Sequence, residues 1–293
     1  MNTNSRTKRG VAGCLLMALF ALAPLCNINA QESDDFGVWA TFEASKKINK
    51  KFKAGIDAEV RTMDAVNSLE RIAVGAKIDY KICSFKDFGY KDSDKFELKA
   101  NVGYIFFHNQ YPESKSIKWD EPTYSGEDIL YGYNIDHAYS ALRNRVYITL
   151  SGEYKIGRFE IGLRERLQYT HTSAATTNET KYRWECTDIL NEIYELGSET
   201  EPELKEAKDN LSLRSRLNIK YDIPNCKINP FASVELYTRL DEWKGYDKMR
   251  YRIGGSYKIN KKNSISLYYL YEDVNDIEEP GTHAVGLEYS IDL

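Results

Sequence analysis

The stretch Glu153-Tyr-Lys-Ile-Gly-Arg-Phe-Glu160 decides the reading of this chain, because degenerate copies recur wherever one alternating run turns back into the next. Ser45-Lys-Lys-Ile-Asn-Lys-Lys-Phe52, Asp79-Tyr-Lys-Ile-Cys83, Lys220-Tyr-Asp-Ile-Pro-Asn225 and Ser256-Tyr-Lys-Ile-Asn-Lys-Lys-Asn263 use the same device. The device brings a run to a Tyr and an Ile two positions apart, on one face of a strand, then reverses it through Gly, Pro or Asn. Repeated along the chain, it lays phenol rings down at one level. A transmembrane β-barrel has such a ring at a membrane–water interface.

On either side of these turns the chain alternates. Phe52, Ala54, Ile56, Ala58 and Val60 share one face, while Lys53, Asp57, Glu59 and Arg61 share the other. Ile72, Val74, Ala76, Ile78 and Tyr80 oppose Arg71, Lys77, Asp79 and Lys81, and Phe96 to Phe106 alternate with Glu97, Lys99 and Asn101. Further runs begin near Asp35, Arg143, Arg158, Asn210, Lys227, Asp247, Asn263 and Thr282. Several are as long as the ~9 to 11 residues a tilted spanning strand needs, where soluble strands average ~5 to 6. The pattern therefore predicts an all-β, antiparallel up-and-down transmembrane barrel of ten to twelve strands. Eleven runs are visible, but single-chain bacterial barrels are even-numbered, so ten or twelve spanning strands are expected.

The connections alternate as well: short turns on one side, and long ones on the other, including Pro112 to Ala141 and Thr172 to Asp209. Such asymmetry predicts periplasmic turns and extracellular loops. Thr172 to Asp209 carries ten acidic and four basic residues, a solvated surface rather than a metal site, with short helices expected at Asp188–Glu195 and Glu203–Lys208.

Arg6, Lys8 and Arg9 precede an apolar run from Val11 to Leu25, and Ile28-Asn29-Ala30 follows. This is the layout of a secretory signal peptide, residues 1–30, cut after Ala30, leaving 31–293 as a single barrel domain. Removing three basic residues takes the formal charge from −4 to −7, which argues against a nucleic-acid partner. Cys83, Cys186 and Cys226 have the spacing of neither a disulfide framework nor a metal knuckle, and no motif asks for a cofactor. The expected location is the outer membrane, and the expected partners are its lipids and the barrel-assembly machinery.

Asp35-Phe36-Gly37-Val38-Trp39, Glu59-Val60-Arg61, Glu70-Arg71, Arg214-Ser215-Arg216, Asn229-Pro-Phe-Ala-Ser-Val-Glu-Leu-Tyr237 and Arg250-Tyr251-Arg252 resemble the Bacteroidota outer-membrane proteins grouped as domain of unknown function 2490. The likeness runs over the mature chain. It implies an outer-membrane barrel of a Gram-negative bacterium and no established activity. The chain ends Tyr289-Ser-Ile-Asp-Leu293, without the terminal aromatic common in barrels, although Leu293 keeps the apolar phase.

The polar faces carry Asp57, Glu59, Arg61, Arg71, Glu97, Arg143, Arg145, Glu160, Arg164, Arg166, Arg214, Arg216, Glu235, Arg250 and Arg252 as lumen-facing candidates. Turned inward, they make either a positive ladder for small anionic solutes or a set of Arg–carboxylate forks that fills a narrow barrel. The filled barrel is the stronger reading, because ~8 to 12 strands enclose little bore. Glu165 breaks phase and sits with the apolar set.

Two other classes compete. An outer-membrane hydrolase or acyltransferase would need His near Ser, and His108, His171 and Ser173 are the best constellation, without a nucleophile motif around Ser173. A secreted soluble β-sandwich would bury the same apolar faces against a second layer. His137 and His283 read as surface residues. Phe106, Phe107, Tyr111, Trp119, Tyr124, Tyr131, Tyr133 and Tyr139 crowd the connection after the fourth run, where aromatics bind glycans or fold the loop down as a lid.

Overall fold

A computed structural model describes residues 35–84, 95–120, 129–187, 192–241, 246–275 and 281–293. The expected signal peptide and its cut after Ala30 lie outside these residues, as do Tyr124 and the side chains of Trp119 and Tyr131. The strands in chain order are β1 (Asp35–Lys47), β2 (Phe52–Met63), β3 (Ser68–Ser84), β4 (Phe96–Tyr111), β5 (Ser114–Asp120), β6 (Ile129–Asp136), β7 (Tyr139–Ile156) and β8 (Phe159–Thr172). They continue as β9 (Ala175–Thr187), β10 (Glu192–Lys205), β11 (Lys208–Tyr221), β12 (Ile228–Arg239), β13 (Tyr246–Lys258), β14 (Asn263–Val274) and β15 (Thr282–Asp292).

Each of the eleven alternating runs is one strand of a closed barrel, in the order β1-β15-β14-β13-β12-β11-β8-β7-β4-β3-β2. The expectation of an even number is wrong. With an odd count, the first and last strands run the same way, and β1 pairs parallel with β15 from Asp35↔Thr282 to Ser45↔Asp292. A parallel ladder satisfies every backbone group along the seam and leaves no free edge, which is what closure demands in lipid.

The turns explain themselves locally. Between β7 and β8 only Gly157 and Arg158 intervene, and Gly157 has φ +60, the conformation that the first central position of a tight hairpin of the II′ class requires. The two Ile-Asn-Lys-Lys copies fold alike. Asn49 Oδ1 accepts from the amides of Lys51 (2.8 Å) and Phe52 (2.9 Å), and Asn260 Oδ1 from those of Lys262 (2.8 Å) and Asn263 (2.9 Å). An Asn side chain replaces a backbone turn bond at both sites.

The two strand faces meet different surroundings. Ile56, Val102 and Leu267 on the apolar face are 58%, 57% and 55% exposed, whereas Glu235 on the other face is 1% exposed. At the short-turn end the apolar face finishes in rings: Phe52 packs on Tyr80 (5.0 Å), Phe159 on Tyr221 (4.9 Å) and Phe42 on Tyr289 (6.0 Å). Lys51 and Lys227 lie over Tyr80 and Tyr257. Glu165, out of phase, accepts the Ser215 hydroxyl at 2.6 Å on that same face.

The described residues of the two long connections are largely strands, and the expected helices are absent from them. They form a second sheet in the order β10-β9-β6-β5. Glu192–Glu195 and Glu203–Lys205, expected to be helical, lie in β10, paired with β9 from Glu192↔Thr187 to Lys205↔Ala175 across a bulge near Gly197. Non-local pairing with a Thr-rich neighbour overrides the helical preference of Glu and Leu. The described residues accordingly group into two compact units, one holding those up to Phe107, Asn144–Thr170 and those from Asp209 onward, the other those of 108–143 and 171–208. Among the described residues no helix is long and apolar enough to cross a membrane.

Candidate functional site: the enclosed arginine face

Ladder register sets the site. Arg216 on β11 lies across from Glu235 on β12, Glu235 across from Arg250 on β13, and Arg250 across from Glu272 on β14. Residues two apart on a strand share its face, so Arg164 and Arg166 on β8, Arg214 on β11 and Arg252 on β13 join this row. These strands thus bring together six guanidiniums (164, 166, 214, 216, 250, 252) with two carboxylates, Glu235 and Glu272.

Glu235 accepts three hydrogen bonds. Its Oε1 accepts from Arg164, and its Oε2 from Arg214 (2.9 Å) and the Tyr237 hydroxyl (3.1 Å), with Arg250 at 3.6 Å. Glu272 holds Arg250 and Lys248. Charge-assisted forks of this kind are directional and survive burial only when paired. Arg166 and Arg145 turn to hydroxyls instead, donating to Thr149 (3.1 Å) and Thr170 (3.0 Å).

Inward aromatics support the cations. Arg61 and Arg250 lie 3.6 and 4.9 Å from the Trp39 ring centre, Arg71 and Arg145 flank Phe107, Arg166 stacks on Tyr147, Arg214 on Tyr237 and Arg252 on Tyr268. A ring face offers a guanidinium partial compensation where water is scarce. The rings fit because glycines face them: a Cβ on Gly286 would overlap the Tyr268 ring, and one on Gly103 the Tyr147 ring.

The remaining sequence candidates fall on the polar phase of their own strands. Glu59 pairs with Arg61 (2.8 Å) and Arg71, Glu97 lies between Lys81 (3.5 Å) and Lys99 (3.4 Å), and Glu160 meets Lys155 (3.5 Å). Asp57 turns its carboxylate toward the space left by Gly75. The Arg143 Nε is buried without a hydrogen-bond partner among the described residues. Sequence reasoning missed the Lys77–Glu43 pair (2.8 Å) and the enclosed aromatics. The signal was present, since Trp39, Tyr147, Tyr237 and Tyr268 fall on the polar phase of their strands.

The enzymatic constellation does not assemble on one element. His108 is in β4 and His171 in β8, with β7 between them in the strand order, and the Ser173 amide donates to the Leu142 carbonyl at 2.9 Å. His137 contacts the Thr180 hydroxyl at 2.8 Å, and His283 stacks on Tyr271.

In the second sheet, one face gathers Asp136, Glu179 and Glu203, close enough to share a cation. The Lys205 ammonium already occupies that position electrostatically, 2.9 Å from Asp136 and 2.7 Å from Glu203. Burial is the largest single influence and acts to raise the Asp136 carboxyl, but hydrogen bonds with Lys205, Glu203 and Ser114 and the Lys205 charge together outweigh it and hold the group below the usual aspartate range. The opposite face carries Tyr133 between Tyr182 (4.6 Å) and Trp184 (5.2 Å), with Lys115 3.8 Å above its ring.

Comparison with solved structures finds the translocator domain of autotransporter NalP from Neisseria meningitidis, 11% identical, with 97% of this chain and 96% of that one covered and a TM-score of 0.42. The CymD monoaromatic hydrocarbon channel is also similar, at 10% identity, 86% and 87% coverage and a TM-score of 0.28. No curated protein matches the chain. The family described as Protein of unknown function (DUF2490) matches residues 36–281, nearly all of the strands laid out above, and the protein belongs to that family.

Proposed function

We propose that this protein is a non-enzymatic outer-membrane β-barrel whose lumen is a narrow pathway for small anions. The observation that carries the reading is the surplus of guanidinium over carboxylate on β8 and β11–β14, enclosed by a barrel whose opposite face is apolar and uncovered by protein. Fixed positive charge behind low-dielectric walls concentrates anions and repels cations. The ion pairs and stacked rings take up much of the bore of eleven strands, which restricts passage to small solutes. The test is a planar-bilayer recording of the refolded protein under a salt gradient. The reversal potential should favour chloride; silence, or cation preference, sinks the reading.

A second reading rests on the Tyr133–Tyr182–Trp184 cluster with Lys115, whose half-exposed ring faces suit a sugar. Binding on a glycan array that Trp184→Ala abolishes would support it.

A further inference from the structure

Within the arginine row, two cations are left over. Glu235 faces Arg216 across the ladder, but its oxygens accept from Arg164, Arg214 and Tyr237 instead. Arg216 has no hydrogen-bonded carboxylate among the described residues. The charged groups that reach it are Arg252, Arg164 and Arg214, with Glu235 the carboxylate among them. Arg252 stands across from Ser233 and rests against the Tyr268 ring, again without a carboxylate of its own.

The atoms around this point are unsatisfied together. The Nε of Arg216, the Nε of Arg252 and the Oγ of Ser233 are all buried with no hydrogen-bond partner, and Ser233 is 5% exposed. Ser233 on β12 lies directly beside Arg252 and one rung diagonally from Arg216, since Asn218 is its partner on β11. Three donors at neighbouring register positions of three adjacent strands thus have no hydrogen-bond acceptor among the described residues. Buried guanidinium N–H groups left without an acceptor cost free energy, which an entering acceptor would recover.

We propose that Arg216, Arg252 and Ser233 form a binding site for a tetrahedral oxyanion of the phosphate class. Two guanidiniums and a hydroxyl offer more donors than the two oxygens of a carboxylate can fully answer, whereas the additional oxygens of a phosphate-class anion can. The proposal rests on the anion-pathway reading for access from the lumen, and its test separates the two.

The full chain is refolded in detergent micelles, with folding checked by heat-modifiable gel mobility. Inorganic phosphate, glycerol phosphate and acetate are titrated by calorimetry at constant ionic strength. Inorganic phosphate should bind and acetate should bind about tenfold more weakly, the difference one charge-assisted hydrogen bond makes. Tighter binding of glycerol phosphate assigns the same site to a phosphorylated organic solute. Arg252→Gln should weaken phosphate by about tenfold, and Ser233→Ala, which removes only a hydroxyl and tests the site should the arginine variant misfold, by about threefold. Absence of phosphate binding, or binding that neither substitution changes, overturns the site. Phosphate binding in a protein that conducts nothing sinks the pathway and keeps the site. Chloride-selective current without phosphate binding does the reverse.

Discussion

Glu235 sits directly across the ladder from Arg216, yet its carboxylate oxygens accept from Arg164 and Arg214, the latter at 2.9 Å. The nearest carboxylate in register is thus not the partner, and charge balance is set around the barrel wall rather than pair by pair. Glu235→Gln should remove the shared counter-charge from buried guanidiniums and lower stability by about 3–5 kcal/mol. The expected outcome is a drop in the urea midpoint of the refolded protein in micelles; an unchanged midpoint would show that solvent already screens the row.

The apolar face gives a separate test. Ile253, 53% exposed near the middle of β13, should tolerate Leu but not Arg. In lipid, Ile253→Arg should cost about 2–4 kcal/mol, measured by reversible unfolding from liposomes. A soluble sandwich predicts a different result, because there the same face meets protein and the mature chain stays in solution without detergent.

The parallel seam is directly checkable. Ala40 and Leu287 are register partners on β1 and β15, so a Cys pair at these positions, in a background with Cys83, Cys186 and Cys226 changed to Ser, should oxidise to an intramolecular disulfide. A pair at Ala40 and Val285, shifted by two residues, should not. Crosslinking of the shifted pair alone would require another closure.

Inside the barrel, Gly286→Ala forces a methyl into the Tyr268 ring, which is only 5% exposed and has Leu270 and Ala284 as packing neighbours. Overpacking at such a site should cost about 1–3 kcal/mol. Tyr268→Leu in the same chain should recover part of the loss in a denaturation experiment.

In the second sheet, the Asp136–Lys205 pair predicts a weak pH response. Asp136 is held below its unfolded value, so its contribution is present above the ordinary aspartate range and disappears as pH falls through the lowered value. Lys205→Met should flatten that acid limb. Amide exchange in β6 and β10 between neutral and acid pH reads it.

Much of this fold was legible before any coordinates. Side-chain alternation found the starts of all eleven barrel strands, because a two-residue period survives wherever one face is apolar and the other charged. The odd count was visible, but the even-number rule for barrels overruled it, since alternation says which way a side chain points and nothing about how the first and last strands pair. The second sheet was missed for a related reason: Glu203-Leu204-Lys205 has helical composition, and only its partners in β9 make it a strand. At the candidate site, phase placed Arg164, Arg214 and Arg250 on one face. It could not say that Glu235 would be oversubscribed and Arg216 left without a carboxylate, because that depends on strand neighbours far apart in sequence.

Because β1 and β15 point the same way, the entry to the first strand at Asp35 and the exit from the last at Asp292 belong to opposite rims of the wall. An epitope fused ahead of Asp35 and another fused behind Leu293 would face different compartments. Antibody labelling of intact cells would then reach one tag and spare the other, and which one it reaches reveals the sidedness of the whole cylinder.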